Sequence, residues 1–496
     1  MRQMTIMPSN RIAASLFVLI GLLVAPSYGE ERPWLSLFDG KMLNKSLTTK
    51  GPVKIVDGRL ELTKPGRLDY DVECERGDFL NFDFVTDVLT EPGAKCGIAF
   101  LGRHAGLGTP FHPTVTINNS REWNFYPHPY EDGKTGSLLR DVSQFKSVAK
   151  DGEWFKLRIR VENCRLCVWV NDTLVTDHCG PRGGGFSIQP DSLGANISFK
   201  NMRFQNLKCD YSKQDDSFRR DEIDQQMDRL RHSGFPLINY HIHLKGDLTL
   251  EKALAHSRET GVFYGVAANC GLNFPITNDQ GINDYVKKLE GQPCFIGMQA
   301  EGREWPTLFS PEAIAKFDYV FTAAMTIVDH RGRRARLWMP AEVDIPDKQA
   351  FMERLVRTIE QILDNEPVDI YANPTYLPDV LAKEYDTLWT PERLKRVIDA
   401  AARNGVAIEI SNRLKLPKAD FIRRAKKAGI QFTIGTNNVD SKLGREEYAL
   451  QMIRECNLGA GDMFLPKPDG KKPIQVRGFK IKPKEETRQK NEGAEK

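Results

Sequence analysis

The sequence carries no excess of charge of one sign. Its 70 lysines and arginines stand against 66 aspartates and glutamates, for a net charge of only +4. Neutralising a phosphate backbone takes surplus cations, so nucleic acid is excluded as the expected partner. Long apolar runs are equally scarce. A membrane-spanning helix needs about 20 consecutive apolar residues, and the run over residues 12–25 is shorter and broken by Ser15 and Gly21. Stable membrane insertion is therefore not expected. Cysteine is sparse and odd in number, nine in 496 residues, and most lie in apolar, strand-like stretches. Buried free thiols are the expectation, with one or two disulfides left open. Cys164 and Cys167 have CxxC spacing, but NCRLCVWV reads as a strand. Residues three apart on a strand face opposite sides, which excludes a shared metal there.

What is present is enough for folded domains. Hydrophobic residues make up 40% and charged residues 27%, which excludes a chain disordered throughout. At roughly 100–200 residues per domain, the length predicts two or three. Residues 1–29 hold Arg2 and Arg11, no acid, the short apolar run, and then Pro26-Ser27-Tyr28-Gly29. Small residues three before and one before a cut after Gly29 complete the pattern of a cleaved signal peptide. The expected location is therefore exported, periplasmic or extracellular. The stretch 467–496 is rich in Lys, Glu and Pro and predicts a solvated, disordered tail.

Two periodicities divide the rest. Residues 31–207 are short alternating runs punctuated by Gly, Asp and Asn. VKIVDGRLEL reads as a hairpin about Asp57-Gly58, and turns are expected at Glu162-Asn163 and Asn171-Asp172. Many short strands without an amphipathic helix predict an all-β sandwich. Residues 208–234 are charged, poor in large apolar side chains, and read as a linker. From residue 235 to 466, seven apolar strand-like runs (LINYHIHL, FYGVAAN, CFIGMQAEG, YVFTAAM, VDIYAN, VAIEIS, FTIGTN) alternate with helical stretches. Thr390 with Pro391 marks a helix start, and Gly405 and Gly429 mark stops. That rhythm predicts an α/β barrel of parallel strands, with an open doubly wound sheet as the alternative.

The chemistry-bearing residues gather at the expected strand ends. His241 and His243 are two apart on the first strand, so both rings project from one face. Glu301 ends the third strand, with Glu304 just beyond. Together His241, His243 and Glu301 could hold one divalent cation, and a mixed nitrogen and carboxylate set suits zinc or manganese. Asp329 and His330 follow the fourth strand and Glu409 lies in the sixth; with Glu301 they are the candidate acids and bases. Arg333 and Arg334, in the basic run RGRRAR, could grip a substrate. In the sandwich, Trp123, Tyr126 and Tyr130 offer aromatic faces for sugar rings.

With NYHIHLKG opening the series, Glu301 at the third strand end and a seven-unit rhythm, residues 235–460 resemble the polymerase and histidinol phosphatase (PHP) family. The resemblance implies a distorted seven-stranded barrel holding metal ions for phosphoester hydrolysis. Asn373-Pro374 stands where the family carries His-Pro, Thr436-Asn437-Asn438-Val439 where it carries Ser-Asp-x-His, and Asn269-Cys270 at its second-strand histidine. One metal or none is left. The ordered set Ser36-Leu37-Phe38-Asp39-Gly40-Lys41, Gly77-Asp78-Phe79, Cys96-Gly97-Ile98-Ala99-Phe100, Thr135-Gly136-Ser137, Gly152-Glu153-Trp154, Trp169-Val170-Asn171 and Ile197-Ser198-Phe199-Lys200-Asn201-Met202 resembles a second family. That family is the 3-keto-disaccharide hydrolase domain, a concanavalin- or laminin-G-like jelly roll. Its G-x-E-x-Q strand is replaced here by TVTINN from Thr114. The resemblances imply an exported hydrolase of 3-keto-glycoside-type carbohydrates with a metal-assisted second domain. The alternative is a non-catalytic carbohydrate-binding protein on a degenerate PHP-like scaffold.

Overall fold

The computed structural model describes residues 33–70, 81–101, 114–120, 133–138, 143–162, 165–179, 185–191, 195–207 and 221–480. The first part is two antiparallel sheets, of eight and five strands, packed face to face. Alternation builds them. In Phe82–Thr90 and Phe155–Glu162 every second side chain is buried, and Phe84, Val88, Leu157 and Ile159 join Phe186 and Phe199 in one core. The hairpin about Asp57-Gly58 forms with φ of 48° and 74°, and Asn171-Asp172 turns with φ of 49° and 63°. Positive φ at both centres is the turn that matches strand twist, so Asn, Asp and Gly at these sites fix the register.

The second part is a closed barrel of seven parallel strands: Ile238–Ile242, Phe263–Gly271, Phe295–Glu301, Tyr319–Thr322, Ile370–Tyr371, Ala407–Ser411 and Phe432–Gly435. Strands covered on both faces read as continuous apolar runs, and nearly every barrel-strand residue is buried. Helices cover the outside. In Lys348–Asn365 the stripe Phe351, Met352, Leu355, Val356, Ile359, Ile362 and Leu363 faces the core. Thr390 caps Pro391–Asn404, which stops at left-handed Gly405.

Two expected irregular stretches are partly built. Within 208–234, Glu222–His232 is a helix capped by Asp221; Met227 is buried in the barrel core, and Arg445 pairs with Asp221 at 2.9 Å and with Asp224. In the stretch expected to be a tail, residues 467–480 pack on the barrel. Ile474 is buried, Phe479 meets Trp305 edge to face at 5.1 Å, and Lys472 Nζ donates to the carbonyls of Ala315 (2.6 Å) and Phe317 (2.7 Å). Two apolar anchors and one buried ammonium outweigh the local composition. Among the described residues no helix is long and apolar enough to cross a membrane, and Cys96, Cys167, Cys270, Cys294 and Cys456 are free thiols.

The two parts touch at the barrel floor. Phe145, from the sandwich, lies in a cluster with Tyr240, Phe263, Phe295 and Tyr319, its ring 5.5 Å from that of Phe263. Phe263, Phe295 and Tyr319 each begin a barrel strand, so the contact is at the end opposite the mouth. Lys146 Nζ joins Asp318 Oδ2 there at 2.6 Å.

Candidate functional site

The barrel interior grades from aromatic to polar. Tyr319 fills the middle because Gly265 and Gly297 leave room: a methyl on either would fall 2.3–2.4 Å from its phenol. Above it, the first strand shifts register between Asn239 and Ile242. This irregularity turns Tyr240 and His241 both inward, and His243 follows two residues on. Their imidazoles sit 5.0 Å apart, as strand geometry predicts. His241 Nδ1 donates to Glu409 Oε2 at 2.5 Å, and its Nε2 meets Gln299 Oε1 at 3.1 Å. Gln299 Nε2 then donates to Glu301 Oε1 at 2.8 Å, which also accepts from Asn269 Nδ2 at 3.0 Å. One hydrogen-bonded chain thus crosses the mouth, from Glu409 through His241 and Gln299 to Glu301. Glu409 fits only because position 435 is glycine; a methyl there would meet its Oε2 at 2.4 Å.

The residues around this chain are held from behind. Asn438 accepts from His243 N at 2.7 Å and donates to its carbonyl at 2.8 Å, so an amide secures the first strand where the PHP resemblance expects a ligand-bearing motif. Asn239 Oδ1 accepts from His241 N, and its amide donates to Glu446 Oε1 at 2.9 Å. Burial, with the nearby His241 and Lys245 charges, holds His243 well below the usual imidazole range, so it is neutral. Burial pushes the Glu301 carboxyl up, against Asn269 and the Arg303 charge. Lys245 is lowered by desolvation, against the pull of Glu301. Glu446, wholly enclosed, rises to about 7.

Not every expected site residue reaches the mouth. Asp329 caps its own turn, accepting from Arg331 N and Arg333 N at 2.8 Å and from Arg333 Nη2 at 2.7 Å. Burial raises its pKa, but these bonds outweigh that and hold it at about 2. His330 and Arg333 lie by Asp344, each 3.7 Å from its Oδ2. The three therefore belong to an exposed turn rather than to the chain of Glu409 and His241. Arg334 does reach the mouth, with Nε 3.7 Å from Glu304 Oε1 and its guanidinium over Phe274. Trp123, Tyr126 and Tyr130 lie outside the described residues.

The expected metal set does not fit. Both ring nitrogens of His241 are engaged, one by Glu409 and one by Gln299, and Glu301 Oε1 takes two amide hydrogens. His243 Nε2 keeps an open lone pair, since its Nδ1 donates to Ala267 O at 2.9 Å, but His241 has none to offer an ion beside it. Among the described residues no three His, Cys, Asp or Glu side chains are placed around one ion. The spacing argument put both rings on one face and could not see the neutral amide between His241 and Glu301.

A second polar array lies on the five-stranded sheet of the sandwich. Leu68, Tyr70, Phe186 and Ile188 face the core, so Arg67, Asp69, Ser187 and Gln189 face away from it. Register places Thr48, Asp69, Ser187, Ala99 and Thr114 in one row across all five strands. Asp69 Oδ1 accepts from Ser187 Oγ at 2.7 Å and Arg67 Nε at 2.5 Å, Gln189 Nε2 donates to Ser187 Oγ at 2.9 Å, and Lys50 Nζ is 3.6 Å from Asp69 Oδ2. Burial raises Asp69, but Ser187 and Arg67 outweigh it and keep the carboxylate ionised. Thr114 Cγ2 lies over Gly97, 2.7 Å from where a methyl would stand, and Ser187 is buried within the charged cluster. Thr116, paired with Gly97, stands at the middle of the strand that replaces G-x-E-x-Q. Sequence reading missed this array, although RLDY and FSIQ carry its period-2 signal.

Residues 33–205 match the family model of the 3-keto-alpha-glucoside-1,2-lyase-like domain. Three solved structures are similar to parts of the chain. A candidate glycosyl hydrolase of Parabacteroides distasonis is 20% identical, over 36% of this chain and 100% of its own, with a TM-score of 0.28. The histidinol phosphate phosphatase of Lactococcus lactis, complexed with zinc, L-histidinol and phosphate, is 16% identical over 46% of this chain and 98% of its own, with a TM-score of 0.34. The lumenal domain of VIP36, bound to calcium and a mannose-containing glycan, is 14% identical over 36% and 90%, with a TM-score of 0.26. No curated protein matches the chain.

Proposed function

We propose that the protein is exported and acts on carbohydrates of the 3-keto-glycoside class, binding them on the outer face of the five-stranded sheet of the sandwich. The observation that carries this reading is a coincidence of place. The lyase-like family match over 33–205 covers the sheet whose outer face bears Arg67, Asp69, Ser187 and Gln189. A fixed carboxylate with a hydroxyl and an amide beside it suits the hydroxyls of a sugar. The barrel mouth supplies acid–base chemistry in this reading. Glu301, whose carboxyl burial pushes up, is the acid, and Glu409, steadied by His241, is the base. Asp329, His330 and Arg333 have no part in it, and no step passes through zinc or manganese.

The test is to incubate the full chain with a 3-keto-glucoside and follow its consumption by chromatography. Turnover that falls at least tenfold in Asp69→Asn supports the reading; turnover unchanged in that variant defeats it. One observation favours a binding role for the sandwich: the stretch TVTINN from Thr114, set against the G-x-E-x-Q strand of the resembled family, holds no acid. Saturable binding of the keto-glucoside without turnover decides for that second reading.

A further inference from the structure

We propose that the barrel mouth is a cation-independent site for a neutral, hydroxyl-rich ring, with the Gln299 amide occupying the place of a metal. The inference rests on reading the mouth as a functional site and adds its ligand class. Four buried polar atoms on adjoining strands lack a hydrogen-bond partner in the protein: His243 Nε2, Glu409 Oε1, Ser411 Oγ and Thr433 Oγ1. His243 is 2%, Glu409 2%, Ser411 0% and Thr433 0% exposed. Glu409 and Thr433 are register partners, Ser411 pairs with Gly435, and Glu409 touches His241, so the four share one quadrant of the interior. Buried polar atoms without partners are costly, which makes such a cluster a site that a ligand completes.

The kind of atom selects the ligand. His243 Nε2 is a bare acceptor because its other nitrogen donates to Ala267 O. Glu409 Oε1 is a second acceptor, and the two hydroxyls accept or donate. A partner for this set must bring hydrogens. Phosphate and carboxylate groups bring acceptors and would leave His243 and Glu409 unanswered; a polyol or sugar ring brings donors at several positions. A divalent cation needs converging ligands, and His241 is spent on Glu409 and Gln299. The Gln299 amide joins His241 to Glu301, the work a bridging cation would do, and it does so without charge. Phe321, edge-on to His241 at 4.5 Å, closes the site below.

The experiment uses the full chain carrying Asp69→Asn, which weakens the Asp69 cluster of the sandwich in the titration. Methyl α-D-glucoside is titrated by calorimetry with and without chelator, alongside zinc chloride and inorganic phosphate. The expected result is one chelator-insensitive sugar site, weakened roughly tenfold when Ser411→Ala and Thr433→Val are added. Each hydroxyl variant alone, checked by circular dichroism, keeps the test readable if the pair unfolds. Zinc is expected to bind substoichiometrically in this chain and to gain a site in Gln299→His. Absence of sugar binding, sugar binding indifferent to both hydroxyl variants, displacement by phosphate, or one zinc held per chain overturns the proposal. Keto-glucoside turnover by the chain with Asp69 intact is scored separately, so failure at the mouth leaves the sandwich reading standing, and the reverse.

Discussion

Glycine 435 has no side chain, and the Glu409 carboxylate occupies the space that one would fill. Gly435→Ala should push Glu409 off His241 and cost about 1–3 kcal/mol, the usual price of overpacking. Thermal unfolding measures the cost. Loss of the far-downfield imidazole N–H proton of His241 in NMR spectra would report the broken contact, and its persistence would contradict it. Glu446 makes a pH prediction. Its folded pKa of about 7 lies above the ordinary 4.5, and Asp369, enclosed at the floor, is raised from 3.8 to about 6. Raised carboxyl pKa values mean the folded state binds more protons. Stability from these groups is therefore full at acid pH and declines as pH rises from about 4 to 7. Urea unfolding at pH 5 and pH 8 should show that decline, and Glu446→Gln should reduce it. At this scale His241, His243, Glu301 and Glu409 were legible, because strand periodicity fixes which residues share a face. Gln299 was not, since a neutral amide belongs to no ligand or acid–base pattern.

Among elements, the seven barrel strands were readable because strands buried on both sides carry dense apolar runs. The helix Glu222–His232 was obscured by its charge: Met227 and Arg231 are buried, and only Ile223 and Leu230 join them against the barrel core. The segment 467–480 was hidden by composition, its lysines and prolines outnumbering the two apolar anchors. Its packing is nevertheless structural. A chain ending at residue 471 should lose the contacts of Lys472, Ile474 and Phe479 and leave two buried carbonyls unpaired. By the usual penalty for buried unpaired groups and lost core side chains, the barrel should be destabilised by about 3–6 kcal/mol. Denaturant titration of the truncated protein checks this, and an unchanged midpoint would mean that the segment only lies on the surface.

For the whole molecule, export predicts an intact mass that lacks residues 1–29 when the protein is recovered outside the cytoplasm of a native-like host. Retention of the apolar run there would contradict it. The sandwich and barrel have separate cores joined through Phe145. Phe145→Ala should cost about 3–5 kcal/mol and split calorimetric unfolding into two transitions, where a single transition in both proteins would deny the coupling. That ring sits at the floor, whereas Glu409, His241 and Glu301 line the opposite end. Among the described residues the sandwich meets the barrel core at the end away from the mouth, so on the two-site reading a sugar would pass from one site to the other through solvent. That reading predicts an unchannelled intermediate, one that can be diluted, trapped by an added scavenger, or handed to another molecule. Chains crippled in one site, mixed with chains crippled in the other, would carry the same flux as the intact protein.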